Sequence, residues 1–343
     1  MKFDVVVGNP PYQEDSGTSA RDNAIYPYFY DLAEKLSTKY CLISPARFLF
    51  NAGSTGKDWN KKMLSNKHLK VVHFQQNSSK MFAGTDIKGG VAVLYHDKNA
   101  DFGAIETFTS HLELQNILKK VSKKSDFEPI GKIITGRGIY RLTDTAHIEH
   151  PEIEGLQSKG HKNDVGSGAF KILSNIIFFK DKPDDEYVYA KVLGLENMRR
   201  VYKFVRADFI NEPYGFKKYK VALPKANGSG AIGEILSTPL VLEPNIGFTE
   251  TFISIGAFDS ELEAQNALKY VKSKFARTML GILKITQDNP RNKWQKVPLQ
   301  DFTEKSDIDW GRTIPEIDQQ LYKKYGLNNK EINFIESKAK STE

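Results

Sequence analysis

The residues with the clearest chemical potential lie near the start of the chain, where Asn9, Pro10, Pro11 and Tyr12 follow an apolar run. Three valines at residues 5–7 have the composition of a buried parallel strand. The two prolines exclude a helix, and Pro10 keeps Asn9 extended. The Asn9 side chain and the Pro10 carbonyl can both accept hydrogen bonds from one exocyclic amino group, and Tyr12 offers a face for base stacking. Because open α/β sheets bind ligands at the carboxyl ends of strands, these residues predict a site there.

The Asn-Pro-Pro-Tyr sequence after an apolar strand resembles the catalytic motif of the DNA adenine-N6 methyltransferases. Residues 26–32, 40–49 and 81–92 resemble the segments that follow this motif in the family, in the same order. Within the last of them, Asp-Ile-Lys-Gly-Gly-Val at residues 86–91 is particularly similar to the adenine methylases of bacterial restriction–modification systems. The resemblance implies site-specific DNA adenine-N6 methylation with S-adenosylmethionine as the methyl donor.

The implied chemistry gives the motif residues distinct roles. The target base must leave the duplex stack before its amino group can be reached. Asn9 and the Pro10 carbonyl would then accept the N6 hydrogens, while Tyr12 and Phe82 would stack against the adenine. Direct attack of the nitrogen on the methyl group needs no nucleophilic cysteine, so we interpret Cys41 as a small core residue. Asparagine at the first motif position favours adenine over cytosine-N4, where serine is usual.

The first part of the chain alternates between strand and helix patterns. Helices are predicted over residues 26–36 and 58–67, and strands over residues 40–43, 71–74 and 90–95. This alternation indicates a parallel sheet. The expected fold class is α/β, with a partial methyltransferase-type (Rossmann-like) sheet in residues 1–126 and an α+β target-recognition domain in residues 127–343.

The expected cofactor-binding half of the methyltransferase has no clear counterpart in the sequence. The family places S-adenosylmethionine on a glycine-rich turn after another strand, but only residues 1–4 precede the first strand here. Glycine-containing residues 136–138 and 227–233 are weak candidates, because a glycine pattern alone has low specificity. We therefore leave the cofactor-binding residues unassigned and expect the chain to be inactive alone. Candidate protein partners are a separate N-terminal methyltransferase half and a restriction subunit.

The second part of the chain has the composition of a DNA-reading domain. Residues 219–228, 260–284 and 292–302 resemble the carboxyl region of the same methylases, which recognises the target sequence. Strands are predicted over residues 132–135, 176–179, 187–192, 219–223, 240–242 and 252–256, a helix over 260–284, and short tail helices within 314–334. Two basic clusters interleaved with aromatic residues are candidates for contacts to the phosphates of double-stranded DNA: Arg199, Arg200, Lys203 and Arg206, and then Lys217, Lys218 and Lys220.

Composition restricts the class of partner and compartment. The formal net charge of +7 favours a polyanionic partner such as DNA. The single cysteine permits no disulfide framework within one chain and fits the reducing cytoplasm of a bacterium or phage host. No apolar run approaches membrane-spanning length. His147 and His150 lack a metal-ligand context, so no metal is expected.

Two other functions remain open from the residues alone. A DNA-binding specificity subunit without catalysis would explain a missing cofactor half. A nuclease is suggested weakly by the acidic residues 184–186 together with Lys191, but the acidic-x-Lys element of metal-dependent nucleases is absent at a suitable spacing.

Overall fold

Two compact units, Met1–Leu112 and Glu113–Glu343, divide the fold. The computed structural model describes residues 3–14, 23–51, 53–284 and 286–341 and shows a mixed α/β protein with several sheets. The division falls earlier than the expected boundary at residue 126. Its physical reason is the helix Leu112–Ser122, which buries Leu114, Ile117 and Val121 in the core of the second unit.

The first unit is built around a four-stranded sheet. Its elements are β1 (Val6–Gly8), β2 (Gln13–Glu14), β3 (Asn23–Ala24), α1 (Tyr26–Leu36), β4 (Lys39–Pro45), α2 (Lys57–Ser65), β5 (Leu69–Gln75) and β6 (Val91–Asp97). The sheet order is β1-β4-β6-β5, with β1 parallel to β4 and β6 antiparallel to both of its neighbours. The prediction of a fully parallel sheet is therefore wrong for β6, the last strand of this unit. No crossover helix separates β5 from β6, and the chain returns through the turns of residues 76–90.

Helix α1 forms where the apolar spacing predicts it and covers one face of the sheet. Pro27 lies in the first turn, where a missing N–H removes no intrahelical bond. Tyr30 and Ala33 are buried against β4, and the Tyr30 hydroxyl lies 2.9 Å from Ser44 Oγ in a hydrogen bond. This contact anchors the helix at the carboxyl end of β4.

The second unit contains two three-stranded sheets and a helical layer. Its helices are α3 (Leu112–Ser122), α4 (Asp144–Glu149), α5 (Ile153–Leu156), α6 (Ala169–Ile172), α7 (Glu261–Lys272), α8 (Lys274–Leu280), α9 (Ile314–Lys324) and α10 (Asn329–Lys338). Its strands are β7 (Tyr189–Glu196), β8 (Arg199–Arg206), β9 (Tyr219–Pro224), β10 (Leu240–Leu242), β11 (Ile246–Phe248) and β12 (Phe252–Phe258). The sheet orders are β10-β9-β12 and β11-β7-β8.

Several predicted elements of the second unit take another form. Residues 132–135 form no strand, because Ile130–Ile133 is a 3-10 helix and Ile134 makes only one bridge, to Ile255. Residues 176–179 likewise make isolated bridges without a named strand. The predicted long helix breaks at Ser273, which has extended ψ and whose Oγ accepts a hydrogen bond from the Ala276 N–H at 3.1 Å. A serine that caps the next turn ends one helix and begins another.

No helix within the described residues is long and apolar enough to cross a membrane.

Candidate active site

One edge of the first sheet collects the loops that carry the predicted site. Strands β1 and β4 run parallel, and β5 has the same direction because both β4 and β5 are antiparallel to β6. Their carboxyl ends therefore lie at the same edge as the beginning of β6. Residues 9–12, 46–51, 53–56 and 76–90 leave the sheet at this edge, which brings the motif and the segment of Phe82 to one end of the unit.

The motif loop is supported on one side and open on the other. Pro10 is buried, Tyr12 is half-buried, and Asn9 and Pro11 are exposed. The Ile25 N–H donates to the Tyr12 carbonyl oxygen at 3.1 Å, immediately after the short β2–β3 ladder. The loop is thereby pinned at its carboxyl end, and the Asn9 side chain remains accessible at the end of β1.

The Tyr12 hydroxyl is a buried polar group close to Asn9. Burial raises its pKa above the usual value, and the nearby Asn9 side chain opposes that shift. No hydrogen bond of ordinary geometry reaches the hydroxyl from the described residues. A catalytic or ligand-binding role is one explanation for a buried polar group without a partner in the protein.

Phe82 lies in a turn that a serine from the preceding segment holds in place. Ser78 Oγ accepts a hydrogen bond from the Ile87 N–H at 2.8 Å and donates to the Thr85 carbonyl oxygen at 3.1 Å. The Phe82 N–H donates to the Ser78 carbonyl oxygen at 2.8 Å. Phe82 itself is half-buried, so part of its ring remains available for contact. Ser78 is a positioning residue that the sequence pattern alone did not single out.

Glycines permit the close approach of the loops at this edge. The Ala46 N–H donates to the Gly90 carbonyl oxygen at 2.9 Å, which joins the loop after β4 to the start of β6. Gly89 and Gly90 both have positive φ, at 88° and 78°. A Cβ at Gly89 would collide with the Arg47 side chain, and one at Gly90 with the backbone of Gln75 and Gln76. The Gly-Gly pair at residues 89–90 is thus explained by positive φ and close packing rather than by chemistry.

Two of the seven basic residues proposed to contact phosphate are corrected by the structure. Lys203 is 5% exposed, and its ammonium donates to Glu196 Oε1, Ser174 Oγ and the Phe170 carbonyl oxygen. Lys220 is 2% exposed, and its ammonium donates to the carbonyl oxygens of Gly215, Phe216 and Lys218. Both ammonium groups are therefore hydrogen-bonded inside the second unit and are not available to a phosphate. A buried cation is stable there because backbone and side-chain acceptors surround it.

The other five basic residues differ in how far they are engaged. Arg206 pairs with Glu149 and Asp208, Lys217 with Glu212, and Lys218 with Asp259. Arg200 donates to the carbonyl oxygens of Ser237 and Thr238. Arg199 is exposed, and its side chain makes no hydrogen bond or ion pair within the described part of the chain. Of the seven, Arg199 is the guanidinium most available to a phosphate.

In the glycine-rich loop at residues 227–233, two backbone N–H groups are engaged by a carboxylate of the same chain. The Ser229 and Gly230 N–H groups already donate to the Glu234 carboxylate, which pairs with the buried ammonium of Lys284. The loop at residues 227–233 is therefore closed by an internal anion. Among the residues that the structure describes, no three His, Cys, Asp or Glu side chains are grouped to hold a metal ion, and this includes the acidic residues 184–186.

Comparisons with known proteins agree with the resemblance seen in the motif. Residues 1–82 match the family model described as Eco57I restriction-modification methylase. An uncharacterized adenine-specific methylase of Mycoplasma pneumoniae is 33% identical over 103 residues, which cover 29% of this chain and 24% of that relative. The resemblance to restriction–modification adenine methylases is thereby confirmed for the amino-terminal part of the chain. The aligned region spans about a quarter of the curated relative's length.

Two solved structures are also similar in outline. The type IIL restriction-modification enzyme MmeI in complex with DNA aligns with a TM-score of 0.39 and 10% identity over 98% of this chain and 56% of its own. The type IIG restriction endonuclease BpuSI aligns with a TM-score of 0.34 and 11% identity over 91% of this chain and 48% of its own.

Proposed function

We propose that the first unit of this chain carries the catalytic loop of a DNA adenine-N6 methyltransferase from a restriction–modification system. The observation that carries the proposal is the exposed Asn9 at the carboxyl end of β1, next to the buried, unpaired hydroxyl of Tyr12. Both residues lie within the segment that matches a restriction–modification methylase family. The sheet, with its antiparallel β6 between β4 and β5, supports assignment as part of a Rossmann-like methyltransferase sheet.

The proposed role of the motif is to hold and polarise an exocyclic amino group. Asn9 Oδ1 and the Pro10 carbonyl oxygen are two acceptors on adjacent residues of a stiff loop. Two hydrogen bonds from one amino group would orient its nitrogen lone pair away from the ring plane. S-adenosylmethionine would supply the electrophilic methyl group. Because the amino nitrogen itself would attack the methyl group, no side chain needs to become covalently modified.

The adenine ring itself would be held by aromatic contacts. An amino group inside a duplex is inaccessible to the loop, so the base must be extrahelical when it is bound. Tyr12 is half-buried beside Asn9, and the segment of Phe82 emerges at the same edge of the sheet. Stacking on such rings contributes about 1–3 kcal/mol per base, enough to retain a flipped adenine.

The side of β1 that faces away from β4 has no partner strand among the described residues, and we place the cofactor-binding strands there. Within the described residues β1 pairs only with β4, and Val7 is 73% exposed. An unpaired apolar strand is normally covered in the functional protein. Further strands there, from the same polypeptide or from another, would bring ribose and carboxylate contacts beside Asn9. The described loops provide the methyl-accepting end of such a site.

The second unit is proposed to bind double-stranded DNA, which would place the activity in a bacterial or phage-infected cytoplasm. The whole chain carries a formal net charge of +7, which favours long-range attraction to phosphate. Arg199 is exposed and has no ion-pair partner among the described residues, whereas Lys203 and Lys220 are excluded by burial. DNA affinity should therefore fall steeply as salt rises.

A methyl-transfer assay tests the proposal. The chain, alone and together with proteins that copurify with it, is incubated with duplex DNA and methyl-tritiated S-adenosylmethionine. We expect N6-methyladenine in hydrolysed DNA from the active preparation and none when Asn9→Ala replaces the wild type, with DNA binding retained. N4-methylcytosine as the product would overturn the adenine assignment. DNA binding without methyl incorporation in any preparation would favour a non-catalytic specificity subunit.

A further inference from the structure

The hairpin formed by β7 and β8 has an unusual tip. The two strands pair over eight positions, ending with Glu196 opposite Arg199. The turn consists of only Asn197 and Met198, with φ values of 49° and 62°. A two-residue turn with both φ values positive matches the twist of the strands and normally carries Asn-Gly. Asparagine at the first position follows this rule, but methionine at the second does not.

The side chain of Met198 is too exposed for its burial to offset this backbone strain. A side chain with left-handed φ costs on the order of 1 kcal/mol or more, and glycine would relieve that cost. Met198 is 94% exposed, so no burial of its side chain offsets the strain. A strained residue with an exposed apolar side chain at a fixed position indicates a contact made outside the chain.

The tip is held rigidly from both faces of the hairpin. On one face, Glu196 accepts a hydrogen bond at 2.8 Å from the buried Lys203. On the other, Arg200 donates to the carbonyl oxygens of Ser237 and Thr238, and its guanidinium lies 5.5 Å from the ring centroid of Phe252. The tip is therefore already ordered, and binding through Met198 would cost little conformational entropy.

Charge and shape at the tip point to nucleic acid as the partner. Arg199 follows Met198 and is exposed, with no partner in the described residues. One apolar side chain on a two-residue turn is too narrow for a stable protein interface, which requires several hundred Å² per partner. DNA-binding proteins do insert apolar side chains, methionine included, between base steps, and arginine is a common contact to phosphate.

We propose that Met198 is a wedge that enters duplex DNA from the hairpin tip, with Arg199 on the adjacent phosphate. The wedge would unstack the bases at its point of entry and fix the position of the second unit along the duplex. This inference rests on the proposed DNA-methylating function and adds the element that distorts the DNA.

Peroxide footprinting tests the wedge on the unmodified chain. Among the described methionines, Met63 and Met279 are buried and Met81 is half-buried, so Met198 should be the first converted to sulfoxide in the free protein. Saturating duplex DNA of mixed sequence at low salt should slow oxidation of Met198 at least about fivefold, while free N-acetylmethionine in the same sample reports the peroxide available. DNA that binds in a gel shift but leaves the Met198 oxidation rate unchanged would overturn the inference.

Variants separate the apolar contact from the charge contact. Asparagine tolerates left-handed φ, so Met198→Asn keeps the turn and removes the wedge, and Met198→Leu keeps an apolar side chain. We expect M198N to weaken DNA binding about fivefold or more with an unchanged salt slope, and M198L to stay near wild type. Arg199→Ala should lower the salt slope by about one. Ile148→Asn, at another highly exposed apolar residue outside the hairpin, is the matched control and should have no effect.

The DNA-binding results distinguish a failure of the wedge proposal from a failure of the proposed function. If the wild-type chain binds no DNA at low salt, DNA binding by the second unit is refuted and the wedge with it. If the wild type binds DNA and M198N binds equally well, only the wedge is refuted.

Discussion

The Tyr12 hydroxyl is buried within the influence of the Asn9 side chain, yet no hydrogen bond of ordinary geometry satisfies it among the described residues. A buried hydroxyl without a partner costs about 1–3 kcal/mol relative to a paired one. The motif loop therefore retains polar groups that its own fold does not satisfy. In the proposed function the ring of Tyr12 serves the base, and the hydroxyl is dispensable for stacking.

Tyr12→Phe and Tyr12→Ala should therefore differ sharply. Y12F removes an unpaired hydroxyl and keeps the ring, so we expect methyl transfer within a few-fold of wild type and unchanged or slightly higher thermal stability. Y12A removes the stacking face and should raise the apparent Kd for substrate DNA or lower kcat by about 5- to 100-fold. Methylation kinetics of the active preparation measure both, and equal losses in the two variants would place the importance of Tyr12 in its hydroxyl.

Gly90→Ala should destabilise the first unit more than Gly84→Ala does. Both glycines have positive φ, but a Cβ at Gly90 would strike the backbone of Gln75 and Gln76, whereas nothing lies within 4 Å of one at Gly84. We expect a loss of about 3 kcal/mol in unfolding free energy for G90A and about 1 kcal/mol for G84A. Urea denaturation followed by circular dichroism measures both. Equal losses would show that backbone strain alone governs the two sites.

Lys203→Met should act on stability rather than on DNA. The substitution leaves the Phe170 carbonyl oxygen and Ser174 Oγ without their buried donor, so we expect a loss of about 1–3 kcal/mol in unfolding free energy. The salt dependence of DNA binding should stay unchanged, because a 5% exposed ammonium reaches no phosphate. Arg199→Ala is the matched control and should show the reverse pattern. If K203M instead showed a weaker dependence of DNA affinity on salt, Lys203 would be a phosphate contact after all.

Asp318 should make the second unit less stable as the pH rises from about 4 to 6. Burial raises the pKa of this carboxyl to about 6, although the Lys274 and Phe275 N–H groups donate to it. The folded-state pKa exceeds the unfolded value of about 3.9, so the folded state binds more protons in this interval. The contribution of Asp318 to the free energy of unfolding is therefore largest below pH 4. It declines as the pH rises through 6, by up to about 3 kcal/mol.

The pH effect of Asp318 is measured as a difference. Denaturation curves of wild type and Asp318→Asn are recorded from pH 4 to 7, and the neutral variant should lack the decline. Identical pH profiles would mean that the carboxyl stays ionised, held by the two N–H donors at the start of α8.

Local patterns were sufficient where one segment determines its own conformation. Helix α1 has the bounds that its apolar spacing predicts, because its buried tyrosines recur on one face and Pro27 suits only the first turn. The motif loop after β1 was likewise predictable, since Pro10 restricts Asn9 and excludes a helix. Strand β8 was missed because its arginines and lysine match a solvated basic cluster more closely than an apolar–polar alternation.

The sequence by itself determined which residue types form the motif, the bounds of α1, the approximate positions of the neighbouring strands, and the resemblance to adenine methylases. Only the tertiary structure decided that β6 runs antiparallel, that the loops of Tyr12 and Phe82 share one edge, and that Lys203 and Lys220 are buried while Arg199 and Met198 are exposed. The reason is physical. Proline geometry and apolar periodicity act within a few residues, whereas strand direction and the burial of a cation depend on acceptors and partners far away in the chain.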